Sequence, residues 1–583
     1  MPMFEISKYF LPSACFLLIT VFFMLLPDLR SCRLDGGERR MGRADVFLMA
    51  VITLVYAAAA FHGLGNTDSP QSFVPMENKT AELALDSNSG ETAKLMVYTG
   101  VGIGSYSIDY IGADGRSLHL SDMEQSHADV LKWHEVAFET PVTGGTLCIS
   151  GRGGVWLGEV VALTEDGKKI PLHSDMPELA DEQGLCPTRQ TFMNSSYFDE
   201  IYHARTAWEQ LNGVYPYEIT HPPLGKTIIG LGIRLFGMTP FGWRFSGTLF
   251  GVLMLPILYY FAKKLFGGRT APAACTLLMA TDFMHFVQTR IATIDTYAVF
   301  FILLMYLFMY LFVTEGRLRD LALCGISFGL GAASKWTCFY AGAGLAVIWA
   351  IWVIRETRAA RLDLLGFVKN ALFCVGFFVL VPCLIYYLSY IPYGVARGTT
   401  NVLSRDYLNI VLDNQRYMFN YHSQLVATHP YSSHWYQWLL DIRPILYYLD
   451  YLPDGRVVSF GAFVNPVLCW GGLLALFVLG YLAVARRDGV SAFILLGYLA
   501  QLLPWVLVPR LTFAYHYFPC TVFLTLGLGR CFDLMEHGSP KGKWYAGGFA
   551  ALSLAVFILF FPDLAGIPIG RSILRSWLPT WPF

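Results

Sequence analysis

The stretch TRIATIDTYAVFFILLMYLFMYLFVTEGRLR, residues 289–319, decides what kind of protein this is. Residues 296–314 form an apolar run that, as a helix, is long enough to cross roughly 30 Å of hydrocarbon. Arg290 and Asp295 precede the run, and Arg317 and Arg319 follow it. Comparable runs recur near 9–27, 46–63, 244–262, 271–289, 320–334, 337–354, 366–390, 462–485, 490–508, 514–530 and 544–561. Together they predict a polytopic α-helical membrane protein with about 12 transmembrane helices. The run at 9–27 lacks a basic stretch before it, and a second run soon follows, so it reads as a transmembrane helix rather than a signal peptide.

Composition agrees. Only 15% of the 583 residues are charged and the mean hydropathy is +0.46. Globular chains carry roughly 25% charge, and single soluble cores stop growing at roughly 250–300 residues. One soluble domain is excluded. A net charge of −1 offers no bulk attraction for nucleic acid. The 12 cysteines stand mostly alone in apolar runs and form no CxxC pair, so zinc-ribbon and thioredoxin-like motifs are not indicated.

Basic residues set the orientation. Arg30, Arg33, Arg39, Arg40 and Arg43 follow the first span, and Lys263, Lys264 and Arg269 the third. Arg317 and Arg319, then Arg355, Arg358 and Arg361, then Arg486 and Arg487, then Arg530, Lys541 and Lys543 occupy every second loop thereafter. The positive-inside rule makes these loops cytoplasmic and puts both termini, residues 64–243 and residues 391–461 outside.

The outer segment 64–196 changes character. KLMVYTG, SYSIDYIG, WHEVAFE, GTLCISG and VWLGEVVALTEDGKKIPL are short β-branched and aromatic runs punctuated by Gly, Asp and Asn. They predict an antiparallel β-sandwich, with contact to carbohydrate or cell wall as its expected role. Trp133 and Trp156 belong in its core rather than on a sugar platform. Cys148 and Cys186 are the cysteines of this segment, and an oxidising exterior permits a disulfide between them. Beyond it, DEIYHARTAWEQLNG reads as an amphipathic helix stopped at Gly213, and LGKTIIGLGIRLFG as a short apolar helix.

Asp199 and Glu200 are adjacent acids at the start of that amphipathic helix. Ser196-x-x-Asp199 fits a capping box, in which Ser caps and the acid reaches back to the helix start. The neighbourhood argues for more. GKT at 225–227 lacks the first glycine of a phosphate loop, since Thr220 stands there. GLGIRL lacks the third glycine of a dinucleotide fingerprint, because Leu235 replaces it. What remains is a set of cations at outer helix ends: Arg290, Lys335 and Arg510, with His516 and Asp295 beside them. Such charges are costly near a bilayer unless they face protein, water or a ligand, although single ones commonly snorkel. Three cations on one face with an acid pair fit a lipid-borne phosphate beside a general base.

FDEIYHA, HPPLGK, TRIATIDTY, SKWTCFYAG, YHSQLVATHPYSSHWYQW and LPWVLVPRLTFAYHYFP, in that order, closely resemble the protein O-mannosyltransferase family, over roughly residues 46–66 and 197–583. The resemblance implies a GT-C glycosyltransferase that moves mannose from polyprenyl-phosphate-mannose to Ser or Thr hydroxyls of exported proteins on the outer face of the cell membrane. It implies Asp199 as general base, with inversion, and Glu200 orienting the acceptor or holding a neighbouring cation. Arg290, Lys335 and Arg510 would meet the donor phosphate; His221, Lys226, Asp295, His429 and His516 would bind substrate. No catalytic metal and no cofactor are expected, because His221, His429 and His434 match no HExxH or Cys/His ligand set.

The implied organisation runs in seven parts. Residues 1–45 hold an extra transmembrane helix and basic loop, and 46–66 the first family helix. An inserted extracellular β-sandwich occupies 67–192, and a catalytic external loop 193–243. Transmembrane helices fill 244–390, an external loop with the HPY motif 391–461, and C-terminal transmembrane helices 462–583. The loop 391–461 is too short for the β-trefoil (MIR) domain of eukaryotic members, which points to a bacterial type. Two alternatives differ in class. One keeps the fold and changes the acceptor to a glycolipid or cell-wall polymer. The other, a solute transporter, is disfavoured because its ionisable residues would sit at the midplane between inverted repeats.

Overall fold

The computed structural model describes residues 40–538, 541–570, 580 and 581. The expected span 9–27 lies outside the described residues. Among the described residues, nine helices are long and apolar enough to cross a membrane: Arg43–Phe61, Pro240–Phe266, Asp295–Glu315, Cys338–Arg358, Leu364–Ala396, Pro466–Ala485, Gly489–Leu507, Ala514–His537 and Gly542–Ala565. The chain divides into two compact units. The first takes residues up to His62, Ile219–Gly225 and everything from Gly247; the second takes Gly63–Glu218 and Lys226–Ser246.

Two expected spans of the first unit differ from the sequence reading. The run 271–289 is not one helix but two, Thr270–Ala280 and Phe283–Thr289. Asp282 stops the first and caps the second, accepting the His285 N–H at 3.1 Å. Asn465 fills the break: its backbone N–H donates to Asp282 Oδ1 at 3.0 Å and its Nδ2 to the Thr281 carbonyl at 2.8 Å. The run 320–334 is helix Leu318–Ser334, 17 residues long. It packs so closely on span Leu364–Ala396 that a Cβ at Gly325 would stand 2.1 Å from the Phe377 carbonyl oxygen. Small residues allow such approach between membrane helices, where dispersion replaces the hydrophobic drive.

The second unit contains the expected β-sandwich. One sheet orders Val74–Pro75, Trp156–Leu163, Thr92–Thr99 and Trp133–Val142, with Lys169–Ile170 pairing Trp156–Leu163. The other orders Leu172–Ser174, Thr80–Leu85, Thr146–Gly153, Gly104–Ile111 and Ser117–Gln125. All pairings are antiparallel. Leu95, Val97 and Val160 of the first sheet meet Leu83, Ile108 and Ile149 of the second in one core. Thr80–Leu85 alternates exposed and buried residues along its whole length, the period-two pattern of a half-buried strand.

Trp133 is buried against Tyr98, with ring centroids 5.0 Å apart. Cys148 and Cys186 are both free thiols. Cys148 alternates with the inward Leu147 and Ile149 and so faces out of its sheet. Cys186 packs against Met96, Tyr98 and Trp133 on the outer face of the other sheet. The sandwich core separates the two, so the permitted disulfide does not form.

Candidate active site

The amphipathic helix of the second unit is Glu200–Leu211, and Gly213 follows it with φ of 65°. Asp199 is its N-cap residue, in right-handed helical conformation and with no side-chain cap hydrogen bond. The capping box is therefore absent. Ser196 donates instead to the Val130 carbonyl at 2.7 Å, fastening the sandwich to the helix start. The Asp199 carboxylate is not engaged in the local duty that its sequence position suggested.

Its neighbour is engaged fully. Glu200 is 0% exposed and takes both oxygens to Arg244, from Nε at 2.7 Å and Nη2 at 2.8 Å. Arg244 also donates to the carbonyls of Leu64 and Phe192, each at 2.8 Å, and of Ser195 at 3.0 Å. Every guanidinium N–H thus has an acceptor. A buried ion pair keeps its place only when its remaining hydrogen bonds are made, and here they are. Of the two roles open to Glu200, the geometry supports holding a cation.

Lys226 is also 0% exposed. Its ammonium pairs with the Glu218 carboxylate and donates to the Glu218 carbonyl at 2.8 Å. An ammonium without exposed surface, paired in this way, ties helix Leu224–Phe236 to Glu218. Arg205 and Glu209 make a third buried pair at 2.8 Å on the acid helix.

The first unit contains a cavity of about 290 Å³. Lys335, Arg510, His221, His422 and His516 line it, with Trp336, Tyr340 and Trp505 among the aromatic walls. Helix Leu318–Ser334 ends at Lys335, whose ammonium donates at 2.6 Å to Asp295, the first residue of the preceding helix. Arg510 makes no ion pair among the described residues; it reaches the Leu511 carbonyl at 3.5 Å. His422 Nε2 lies 2.8 Å from the Thr220 carbonyl, and its ring meets His221 edge-on at 5.3 Å. Burial, then the charges of His221, Arg510 and Lys335, push His422 down to about 4. Burial keeps this imidazole neutral and the cations beside it add to the effect; Lys335 and Arg510 on the same wall suit an anion.

Arg290 is elsewhere. It is buried and does not line this cavity. It donates to the Ala60 carbonyl at 3.0 Å and the His62 carbonyl at 2.8 Å, and lies over the Phe286 ring at 4.8 Å. Ala60 lies in the last turn of helix Arg43–Phe61 and His62 is its C-cap, where carbonyls have no partner within the helix. These bonds tie Arg290 to the end of helix Arg43–Phe61. His429 likewise stands outside the lining, edge-on to Phe513 at 5.0 Å. Sequence reasoning missed His422 and the three aromatic walls, although each lies inside one of the family-like motifs: YHSQ, SKWTCFYAG and LPWVLVPR.

Comparison with known proteins gives concordant results. A family profile described as dolichyl-phosphate-mannose-protein mannosyltransferase matches residues 220–386. A second, the C-terminal four TMM region of protein-O-mannosyltransferase, matches residues 407–581. Asp199, Glu200 and the sandwich precede the matched residues. A polyprenol-phosphate-mannose–protein mannosyltransferase of Mycobacterium tuberculosis is 27% identical over 456 residues, 66% of this chain and 86% of the relative. That of Corynebacterium glutamicum is 23% identical over 469 residues, 67% and 89%. The S. cerevisiae protein O-mannosyltransferase Pmt1-Pmt2 complex bound to the sugar donor matches with a TM-score of 0.59 at 14% identity, covering 67% of this chain and 89% of that one. At that identity the likeness speaks for the fold, a polytopic GT-C architecture.

Proposed function

We infer that this chain, which belongs to the protein O-mannosyltransferase family, moves mannose from polyprenyl-phosphate-mannose to Ser or Thr hydroxyls of exported proteins. The observation that carries the reading is the cationic cavity of the first unit. Arg510 without an ion pair among the described residues and Lys335, on one wall with His221, His422 and His516, suit a phosphate on a lipid carrier. Charge building on the phosphate oxygens as the sugar departs is met by Arg510 and Lys335, and Asp295 keeps the Lys335 ammonium in place.

A Ser or Thr hydroxyl attacks the anomeric carbon once a positioned base takes its proton, a contribution of typically 10²–10⁴-fold. Asp199 is that base. Displacement by the acceptor oxygen inverts the anomeric centre, and a phosphate needs no general acid to depart. Glu200 clamps Arg244 beside the base and so fixes the start of the acid helix. Arg290 and Lys226 hold structure, whereas His221 and His516 line the donor cavity. The active site faces the exterior, in keeping with the cytoplasmic distribution of Lys and Arg.

The test is transfer from defined polyprenyl-phosphate-mannose to a Ser/Thr-rich peptide by purified protein in detergent, read by mass spectrometry. Mannosylated peptide supports the proposal. Mannose passing only to a glycolipid or cell-wall polymer would transfer the reading to that acceptor class, and no transfer at all would overturn it. Orientation is tested separately: Asp166→Cys should react with an impermeant thiol reagent in intact cells, and Ala359→Cys should not.

A further inference from the structure

Three carboxylates converge outside the proposed active site. Glu159 lies on strand Trp156–Leu163, and Asp181 and Glu182 on the turn before Cys186. One oxygen from each lies within 4.8 Å of the others. Asp181 is exposed, but Glu159 is 0% exposed. Its Oε2 accepts the Glu182 N–H at 2.9 Å, while its Oε1, also buried, accepts from no protein donor. Buried carboxylate oxygens without partners are expensive, and two more acids beside one make it worse.

No local cation relieves them. Lys94 pairs with Glu135, and Lys169 donates to the Gly184 carbonyl. Among the described residues no lysine or arginine forms an ion pair with Glu159, Asp181 or Glu182. Burial, reinforced by the charges of Asp181 and Glu182 against the single Glu182 amide, pushes the Glu159 carboxyl up to about 8. Two states can satisfy such a group: a proton on Glu159 or a metal ion among the three acids.

We propose that Glu159, Asp181 and Glu182 bind a hard divalent cation, calcium in preference to magnesium, which locks the β-sandwich. Oxygen-only ligands select hard cations. Carboxylates drawn from a strand and an irregular turn suit calcium's variable coordination better than the near-octahedral shell that magnesium demands. The position has consequences beyond the acids. Glu182 Oε2 also accepts the Gln71 and Ser72 N–H groups, at 2.7 and 3.3 Å, where the chain enters the sandwich. Gln71 in turn accepts the Met238 N–H at 2.7 Å. The strand that holds Glu159 also carries Trp156, which packs edge-on against Trp208 of the acid helix at 5.6 Å. An ion here fastens the entering and leaving segments of the sandwich together.

The experiment uses the full chain in detergent, freed of metal and titrated with calcium or magnesium chloride. Bound metal is measured by calorimetry and thermal unfolding is followed in parallel. Wild type should bind one calcium ion per chain and melt several degrees higher with it, with a smaller shift for magnesium. Glu159→Gln should lose both responses. Asp181→Asn, at an exposed position, should fold as wild type does and lose most calcium affinity. Equal calcium binding by wild type and both variants would overturn the proposal. So would a wild-type melting temperature that calcium leaves unchanged.

Discussion

Glu200 and Arg244 are matched charge for charge and hydrogen bond for hydrogen bond, as Lys226 is with Glu218. In the cavity of the first unit the balance is different: Arg510 has no ion-pair partner among the described residues, and Asp295 is the acid that holds Lys335. Both regions are rich in ionisable side chains, and sequence alone ranks them together. The contrast separates two uses of charge. A matched pair in a dry interior specifies geometry, whereas a cation in an open pocket with no ion pair among the described residues, as Arg510 is, suits an anion that is not part of the chain.

Breaking the matched region should cost most. Glu200→Gln leaves the Arg244 guanidinium buried without its carboxylate and should destabilise the protein by about 3–5 kcal/mol, read as a fall in melting temperature. Adding Arg244→Met should recover part of that loss, since it removes the stranded charge. A single variant as stable as wild type would erase the distinction between the regions.

Asp199→Asn tests the acid of the pair that is proposed as the base. Turnover should fall roughly 10²-fold or more, about 2.7 kcal/mol of barrier, with melting temperature and donor binding kept. Asp199 makes no side-chain cap hydrogen bond, so loss of a cap does not enter the comparison. Near-wild-type transfer by the purified variant would sink the assignment of the base.

The unmatched region should respond through ligand affinity. Arg510→Ala should weaken donor binding about 10-fold, or ~1.4 kcal/mol, the range of a charge-assisted hydrogen bond. Arg290→Ala should lower the melting temperature and leave donor affinity unchanged. A titration in which Arg290→Ala loses donor and Arg510→Ala does not would exchange the roles of the two arginines.

The smallest effect concerns His422. Its folded value near 4 lies below the ordinary imidazole value of about 6.5. Between those pH values the unfolded chain binds a proton that the folded chain refuses. Stability should therefore climb as pH rises from about 4 to 6.5 and level off above. His422→Gln should flatten that limb in a melting series across pH; an unchanged limb would mean that the cations do not bear on His422.

Spans were readable because hydrocarbon demands length and apolarity, both of which a sequence states openly. The sandwich was readable from alternation and turn residues, although Thr80–Leu85 and Ser117–Gln125 went unrecognised. What stayed hidden depends on distant partners. The break before Phe283 rests on Asn465, and the duty of Arg290 on carbonyls at Ala60 and His62. The Ser196 capping box failed for the same reason, since the hydroxyl is drawn to Val130 across the sandwich. Local pattern shows which groups are present, and tertiary contact decides which of them remain available.

The seam between the sandwich and the acid helix has a practical consequence for anyone shortening this chain. Trp208 rests edge-on against Phe73 at 5.4 Å and Trp156 at 5.6 Å, and Tyr217 stacks on His127 at 4.2 Å. Excising the strands would strip these rings of their cover and leave an aromatic patch whose Trp208 lies toward the far end of the acid helix from Asp199. A minimal enzyme made that way would need a redesigned surface, with Trp208 and Tyr217 replaced by polar residues, before its loss of activity could be charged to the missing domain.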